Sequence, residues 1–239
     1  MNARLRDLIG RNRLALEQEL ISMDLRRFFS PIQYGLERAI KRCIKRHAAG
    51  RVLDAGCGYQ PHRKCIEALA SYDSIDVEKK SETQTLVGDI QNMADVGSET
   101  YDTVVCSEVL EHLPDPEHAI REFRRILKPS GTLILSVPFL SRLHEEPHDY
   151  YRYTRYGLRI LLGRQDFEVI EVTVTGSMAS FLGHQLSTIA LGTTWHVAGL
   201  KWMILIVNAI FITVPCHLVD RLFEGEKAPA GYVVAARRL

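Results

Sequence analysis

Apolar positions change their period along this chain, and the changes mark its elements. Over residues 4–29, Leu5, Leu8, Ile9, Leu16, Leu20 and Ile21 recur at roughly i, i+3, i+4, the spacing of one apolar face on a helix. Ser30-Pro31 ends that stretch and opens a second helix, because proline suits a first helical turn; this helix runs to about Ala48. Beyond Gly50 the period shortens. Residues 52–56 make a short strand that stops at Gly56, and 62–70 read as a helix. Three more strands follow, at 74–77, 85–87 and 101–106. Asp115-Pro116 then starts a helix, with aspartate as N-cap and proline in the first turn. Its apolar face is Ile120, Phe123, Ile126 and Leu127, and Pro129-Ser130-Gly131 ends it. TLILSV, 132–137, is apolar without alternation, as in a strand covered on both faces. Thr154 caps a helix through Leu162. EVIEVTV, 168–174, alternates with period two, and YVVAARR is the last strand.

Strands alternating with helices predict an α/β fold, a mostly parallel sheet with helices on both faces. Ligands of such sheets bind beyond the carboxyl ends of the strands. The positions of interest are therefore residues 54–58, Asp76, Asp89, residues 107–111 and the chain from Pro138 onward.

Composition narrows the class. The 239 residues are 46% hydrophobic and 25% charged, which excludes a disordered chain. The formal net charge of +1 gives no argument for nucleic acid as a partner. That total hides an asymmetry: residues 1–50 hold eleven Lys and Arg against five Asp and Glu. Five cysteines, none at C-x-x-C spacing, argue against a disulfide framework or a structural zinc site and fit reduced thiols in a cytoplasmic setting. The charged N-terminus does not read as a secretory signal.

The chemistry concentrates at the strand ends. VLDAGCGYQP, 52–61, sets two glycines at G-x-G spacing behind a strand. The third small residue of a dinucleotide fingerprint would fall at Pro61, which counts against NAD or FAD. Asp76, 22 residues after Asp54, ends the second strand, where a carboxylate can accept both hydroxyls of a ribose. Asp89 ends the third strand, where it could accept from an adenine amino group. Asp54 could orient an ammonium group. Singly, each acid is as readily a helix cap or turn residue. Together they suit an uncharged nucleoside carrying an amino acid, S-adenosylmethionine, better than a dinucleotide.

Residues 51–174 resemble the core of the class I S-adenosylmethionine-dependent methyltransferases, in their type 11 branch. VLDAGCG resembles the family's first motif, SIDV its second-strand acid motif and GDI its third. YDTVVCSEVLEHLPDPEHAIREFRRILKPSGTLILSVP resembles the long block around its fourth and fifth strands almost throughout. The resemblance implies a Rossmann-like seven-stranded sheet of order 3-2-1-4-5-7-6, the last strand antiparallel. It implies that Asp54, Gly56, Cys57 and Gly58 touch the methionine portion of the cofactor. By the same resemblance Asp76 binds ribose, Val77 packs on adenine, and Asp89 and Ile90 contact the base. Ser107, Glu108 and Val109 would flank the sulfonium through their backbone. Gln60 departs from the family, many members of which carry a third glycine there.

After the fifth strand, residues 138–154 contain His144-Glu-Glu-Pro-His148, a literal H-E-x-x-H. A zinc protease needs both imidazoles on one helical face, and Pro147 breaks that geometry, so no metal is expected from this motif. The loop follows a strand at the ligand edge and is expected to cover the methyl acceptor; similar segments form a lid or acceptor wall in relatives. A hydroxyl acceptor requires a general base, and His144, His148 and Tyr151 are the catalytic candidates, His144 first. Bracing the loop is the competing role for each. His112 is expected to serve a helix-starting hydrogen bond.

Between the sixth and last strands, residues 177–230 replace what is a short hairpin in a minimal methyltransferase. WMILIVNAIFITVPCHLV, 202–219, carries no formally charged side chain apart from His217 when protonated, and sits at the lower edge of membrane-span length. The last strand must rejoin the sheet, so a single crossing is excluded. The remaining options are a hairpin dipping into the bilayer, an interfacial helix pair, a homodimer interface or a cap over the site. The membrane-associating or acceptor-capping pair is preferred, with the basic N-terminus drawn to anionic lipid at the inner face of the membrane. The chain thus divides into a basic helical segment (1–50), a methyltransferase core (51–176 and 231–239) and an apolar helical insertion (177–230). The expected activity is methyl transfer from S-adenosylmethionine to a small-molecule, glycan or lipid-linked acceptor. The rival is a cofactor-binding or membrane-associated interaction protein that keeps the fold without turnover.

Overall fold

A computed structural model describes residues 11–12, 15–16, 18–195, 197, 199–222 and 227–239. The start of the expected first helix, residues 4–10, lies outside them. The chain forms two compact units, Met1–Arg38 with Val174–Ala230, and Ala39–Thr173 with Gly231–Leu239.

The larger unit is built on a seven-stranded sheet: β1 (Arg51–Ala55), β2 (Ser71–Asp76), β3 (Leu86–Val87), β4 (Tyr101–Ser107), β5 (Leu127–Pro138), β6 (Phe167–Thr175) and β7 (Gly231–Arg238). Their order is β3-β2-β1-β4-β5-β7-β6, with β7 antiparallel to β5. The expected Rossmann-like topology is therefore the observed one. Val104, Val105, Cys106, Leu133, Ile134 and Leu135 are wholly buried, which is why β4 and β5 read as unbroken apolar runs. The helix between them, Pro116–Ile126, starts as its sequence dictates: the Asp115 carboxylate accepts from the His118 N–H at 3.1 Å, with Pro116 in the first turn. Ala119, Ile120, Phe123 and Ile126 form its buried face. Several boundaries differ from expectation: the helix read over 62–70 is confined to Arg63–Glu67, and β2 begins at Ser71 rather than 74. β5 begins at Leu127, ahead of Pro129-Ser130-Gly131, and its pairing with β4 shifts register between Tyr101 and Thr103. Proline tolerates a strand at such an irregularity because the ladder bond it cannot donate is already interrupted there.

The smaller unit is helical. Residues 11–22 are helical where described, but the helix does not continue to 29. It ends in a Schellman motif: Leu25 N–H bonds to Leu20 C=O at 2.7 Å, Asp24 N–H bonds to Ile21 C=O at 3.0 Å, and Asp24 takes a left-handed φ of 55°. Aspartate, not glycine, fills that position, so the stop was not visible as a glycine signal. Leu16, Leu20, Phe29, Leu191, Trp195 and Leu205 share one core. The segment 177–230 forms a helix at Met178–Thr194 and a second, continuous one from Lys201 to Asp220. Within the second helix, Ala209–Thr213 widens to π geometry just before Pro215. The wider turn accommodates a residue that can neither donate to the ladder nor fit against the preceding turn. Buried Asn208 donates to Phe28 and Phe29 C=O at 3.3 and 3.1 Å, satisfying backbone groups between the first helix and the next.

Candidate active site

Parallel strands place their C-terminal residues along one sheet edge, and the chain's acids collect there. Asp54, near the end of β1, is 2% exposed and accepts from the Tyr72 hydroxyl at 2.9 Å. Burial pushes its carboxyl up to about 7; the Tyr72 hydrogen bond opposes that rise and the charge of Asp76 adds to it. Asp76 ends β2, and its Oδ2 accepts from the Gly58 N–H at 2.9 Å. Its Oδ1 has only longer contacts, 3.5 Å to the Glu78 N–H and 3.5 Å to Lys80 Nζ. Oδ1 is thus the less tightly engaged oxygen of this carboxylate.

The two glycines serve different needs. Gly56 has φ +71°, and a Cβ there would lie 2.5 Å from Val109 Cγ2, so the turn packs directly on the loop after β4. Gly58 has φ +51°, and a Cβ there would meet nothing within 4 Å. The space over Gly58 is open, beside the Asp76 carboxylate that accepts its N–H. Cys57 between them is 3% exposed, and burial pushes its thiol up to about 12, so it acts as a small packed side chain rather than a nucleophile. Gln60, the departure from the family pattern, adopts the left-handed φ of 56° that a glycine would take. Its amide donates to Ser74 Oγ at 2.9 Å and accepts from Thr83 Oγ1 at 2.6 Å. Side-chain hydrogen bonds thus hold a conformation that glycine reaches unaided.

The remaining cofactor candidates spread outward. Val77 is 62% exposed just past β2, available to an adenine face. Asp89 is exposed and accepts from the Gln91 N–H at 2.8 Å, the turn-residue role weighed against base contact, while Ile90 is buried. Ser107 Oγ sits 2.9 Å from Ser136 Oγ and 3.2 Å from His62 Nε2. Glu108 has φ 55°, and its N–H bonds to Ser136 C=O at 3.0 Å, which turns the chain sharply at the end of β4 and brings Val109 over Gly56.

The acceptor loop after β5 is not helical between 140 and 154, so its H-E-x-x-H residues do not share a helical face. Instead the loop docks on the turn after β4. Tyr150 N–H bonds to Glu111 C=O at 2.9 Å, Tyr153 hydroxyl to Leu110 C=O at 3.2 Å, and Tyr151 hydroxyl to Pro114 C=O at 3.1 Å. Of the three catalytic candidates, His144 is the one brought inward. Its Nδ1 faces Arg142 C=O at 3.2 Å and the Asp149 carboxylate at 3.3 Å. Burial, with the neighbouring His112, holds its pKa below the usual value, so the ring is neutral at pH 7. Asp149 is held ionised by Arg152 at 2.6 Å, which pulls its pKa to about 2. His148 is exposed, its Nδ1 3.0 Å from the Tyr150 hydroxyl. Both His148 and Tyr151 therefore brace the loop in this arrangement.

Sequence reasoning placed Glu111 in the 107–111 segment of interest but gave it no role. It is wholly buried, and neither carboxylate oxygen accepts a hydrogen bond among the described residues. Burial, then the nearby charge of Glu108, raises its pKa well above the ordinary range. His112 makes a loop contact in place of the expected helix-starting bond: its Nδ1 lies 2.6 Å from His148 C=O. The ring meets His144 edge-on, 4.7 Å between centroids. An acid–histidine pair at a strand end facing a histidine-bearing loop was the available signal.

Comparison with known proteins agrees with this geometry. A family described as a methyltransferase domain matches residues 27–172. A ubiquinone biosynthesis O-methyltransferase of Xanthomonas oryzae pv. oryzae is 34% identical over 103 residues, 37% of this chain and 43% of the relative. The chain thus spans less than half the length of the curated relatives it matches. Among solved structures, the [4+2]-cyclase SpnF superposes with a TM-score of 0.58 at 18% identity, covering 84% of this chain and 80% of that one. Phosphoethanolamine N-methyltransferase 2 of Haemonchus contortus, solved with S-adenosyl-L-methionine, gives 0.53 at 15% identity, covering 84% and 52%. The family match spans more than half of the chain, and the sheet order is the one the family's fold requires: the chain belongs to the class I S-adenosylmethionine-dependent methyltransferases.

Proposed function

We propose that this chain transfers the methyl group of S-adenosylmethionine to a hydroxyl of a small-molecule, glycan or lipid-linked acceptor, with the lipid-linked class favoured, at the cytoplasmic face of a membrane. The observation that carries the reaction is the Gly58–Asp76 hydrogen bond beside the open space over Gly58. There Asp76 would take the ribose, Asp54 the ammonium of the methionine portion, and Val77 and Ile90 the base. The bound cofactor supplies an electrophilic methyl on a sulfonium. The protein's part is to align an acceptor with it, exclude water and receive a proton. His144 suits the last task. With Nδ1 facing a carbonyl and a carboxylate, its proton sits there and its Nε2 lone pair is left for an acceptor hydroxyl. The O-methyltransferase name of the Xanthomonas relative supports a hydroxyl acceptor.

A membrane setting is supported by the helical unit. Lys201–Asp220 is long and apolar enough to cross a membrane, about 30 Å at 1.5 Å per residue. Its exposed face carries Met203, Ile206, Ile210, Phe211, Val214 and Leu218, and the preceding helix exposes Leu182, Leu186 and Ile189. Since the chain returns afterwards to β7, the helix lies along the interface or enters as one arm of a hairpin.

Calorimetric titration with S-adenosylmethionine should show one site per chain. Incubation with methyl-labelled cofactor and a cell extract should then place label in the organic phase. Absence of cofactor binding sinks the enzymatic reading. Binding without label in any extract fraction favours the rival, a protein of this fold without methyl transfer; the cyclase with the same fold shows that fold alone does not select the reaction. Flotation with anionic vesicles tests the membrane separately, and Phe211→Asp with Ile210→Asp should abolish it.

A further inference from the structure

The buried carboxylate of Glu111 is the least explained group in the larger unit. It is fully removed from water, yet neither oxygen accepts a hydrogen bond among the described residues. Burying a carboxylate that way is costly unless a proton or a cation answers it. Two imidazole nitrogens face it: His112 Nε2 at 3.7 Å and His144 Nε2 at 3.9 Å from Glu111 Oε1.

Both rings are set in the tautomer that a metal requires. His112 Nδ1 lies 2.6 Å from the His148 carbonyl, which accepts and cannot donate, so Nδ1 carries the proton and Nε2 the lone pair. His144 Nδ1 faces the Arg142 carbonyl and the Asp149 carboxylate, with the same result. Two lone pairs and an orphaned carboxylate thus converge, their ligand atoms all within 4.8 Å of one another. The Asp149–His144 and His148 carbonyl–His112 contacts are the outer hydrogen bonds that ligating imidazoles normally have. Tetrahedral coordination at about 2.0–2.2 Å would separate donors by roughly 3.4 Å. From 3.7 and 3.9 Å, the two Glu–His separations need to shorten by about half an ångström or less, and the two nitrogens, within 4.8 Å of each other, by at most about 1.4 Å.

We propose that Glu111, His112 and His144 bind a divalent transition-metal cation of the zinc class, which clasps the acceptor loop to the turn after β4. Imidazole donors favour zinc and its neighbours over magnesium, and three protein ligands leave a position open. Glu145 Oε2, on an exposed side chain 4.0 Å from His112 Nε2, lies beside the same site. This is not the H-E-x-x-H arrangement: His144 is shared, but His112 replaces His148. A cation on His144 Nε2 takes the lone pair that would otherwise receive the acceptor's proton, so the loaded and metal-free forms handle that proton differently. The proposal stands apart from the methyl-transfer reading, because the cation is measured without cofactor or acceptor.

The test is titration of the purified full chain, stripped with chelator, against Zn2+, Mn2+ and Mg2+ separately, with Co2+ as a spectroscopic probe. One Zn2+ per chain is expected, with Mg2+ at least about 100-fold weaker. Bound Co2+ should show a tetrahedral visible spectrum without thiolate charge transfer. His112→Ala and His144→Ala should each weaken Zn2+ more than about 100-fold, and Asp149→Asn about 10–100-fold through loss of the outer hydrogen bond. His148→Ala should leave Zn2+ binding unchanged. Glu111→Gln, an isosteric variant expected to fold, should lose Zn2+ while its metal-free melting temperature holds or rises. Zn2+ affinity indifferent to His112→Ala, a loss confined to His148→Ala, or thiolate bands in the Co2+ spectrum would each overturn the site.

Discussion

Cofactor affinity should climb as pH rises through neutrality, and Asp54 should be the cause. Its carboxyl is 2% exposed and burial pushes it up to about 7. If Asp54 holds the cofactor's ammonium, only the ionised form binds well. Below about pH 7 the dissociation constant should then rise nearly tenfold per pH unit, about 1.4 kcal/mol each. Calorimetry from pH 5.5 to 8 measures this, and repeating it in buffers of different ionisation enthalpy should show proton release on binding at the lower values. Asp54→Asn should bind weakly and without the slope. The same shift affects the free protein in the opposite sense. Between the ordinary value of 3.8 and about 7 the native state holds a proton that the unfolded chain has released. Folding therefore takes up a proton in that window, and stability from this group, full below pH 3.8, falls as pH rises toward 7. The separation corresponds to a loss on the order of 4 kcal/mol. Urea unfolding of wild type and Asp54→Asn without cofactor isolates it, because other titrating groups cancel in the difference. A dissociation constant flat across neutrality, together with an unfolding difference that does not change between pH 4 and 8, refutes the reasoning.

Other outcomes follow from single contacts. Gly56→Ala places a Cβ 2.5 Å from Val109 Cγ2 in a left-handed conformation; it should cost about 2 kcal/mol or more in chemical denaturation, and Val109→Ala in the same chain should recover part of that. Asp76→Ala frees the Gly58 N–H and removes the ribose acceptor, so cofactor affinity should fall more than about tenfold with a small change in melting temperature. His144→Ala should spare cofactor binding and reduce turnover strongly, measured with the labelled-cofactor assay; unchanged turnover removes it from the catalytic residues.

The parts legible in the sequence were those where local pattern and global fold agree. β4 and β5 are apolar on both faces because both faces are covered, and Asp54, Asp76 and the glycine turn lie where parallel strands must end. The less legible features depend on partners distant in sequence or on unusual local solutions. Glu111 reads as an ordinary acid in VLEHL, and its meaning arises only when the loop carrying His144 folds back, 33 residues later. The helix end at Asp24 lacks the usual glycine, and Pro129 sits inside a strand because the pairing is already irregular there. His148 and Tyr151 were legible as acceptor-loop residues, whereas the contacts they make, His148 with the Tyr150 hydroxyl and Tyr151 with Pro114 C=O, depend on how the loop folds back.

The segment leaving β6 and the one entering β7 meet at a single backbone hydrogen bond, Ala230 N–H to Thr175 C=O at 2.9 Å. A detour whose entrance and exit touch can grow, shrink or be replaced in descendants without disturbing strand order, since closing a longer loop costs little. Any such exchange must carry the N-terminal helix with it, because Leu16 and Leu20 share a core with Leu191, Trp195 and Leu205. Evolution could therefore retune where this protein works while leaving its glycine turn and strand-end acids as inherited.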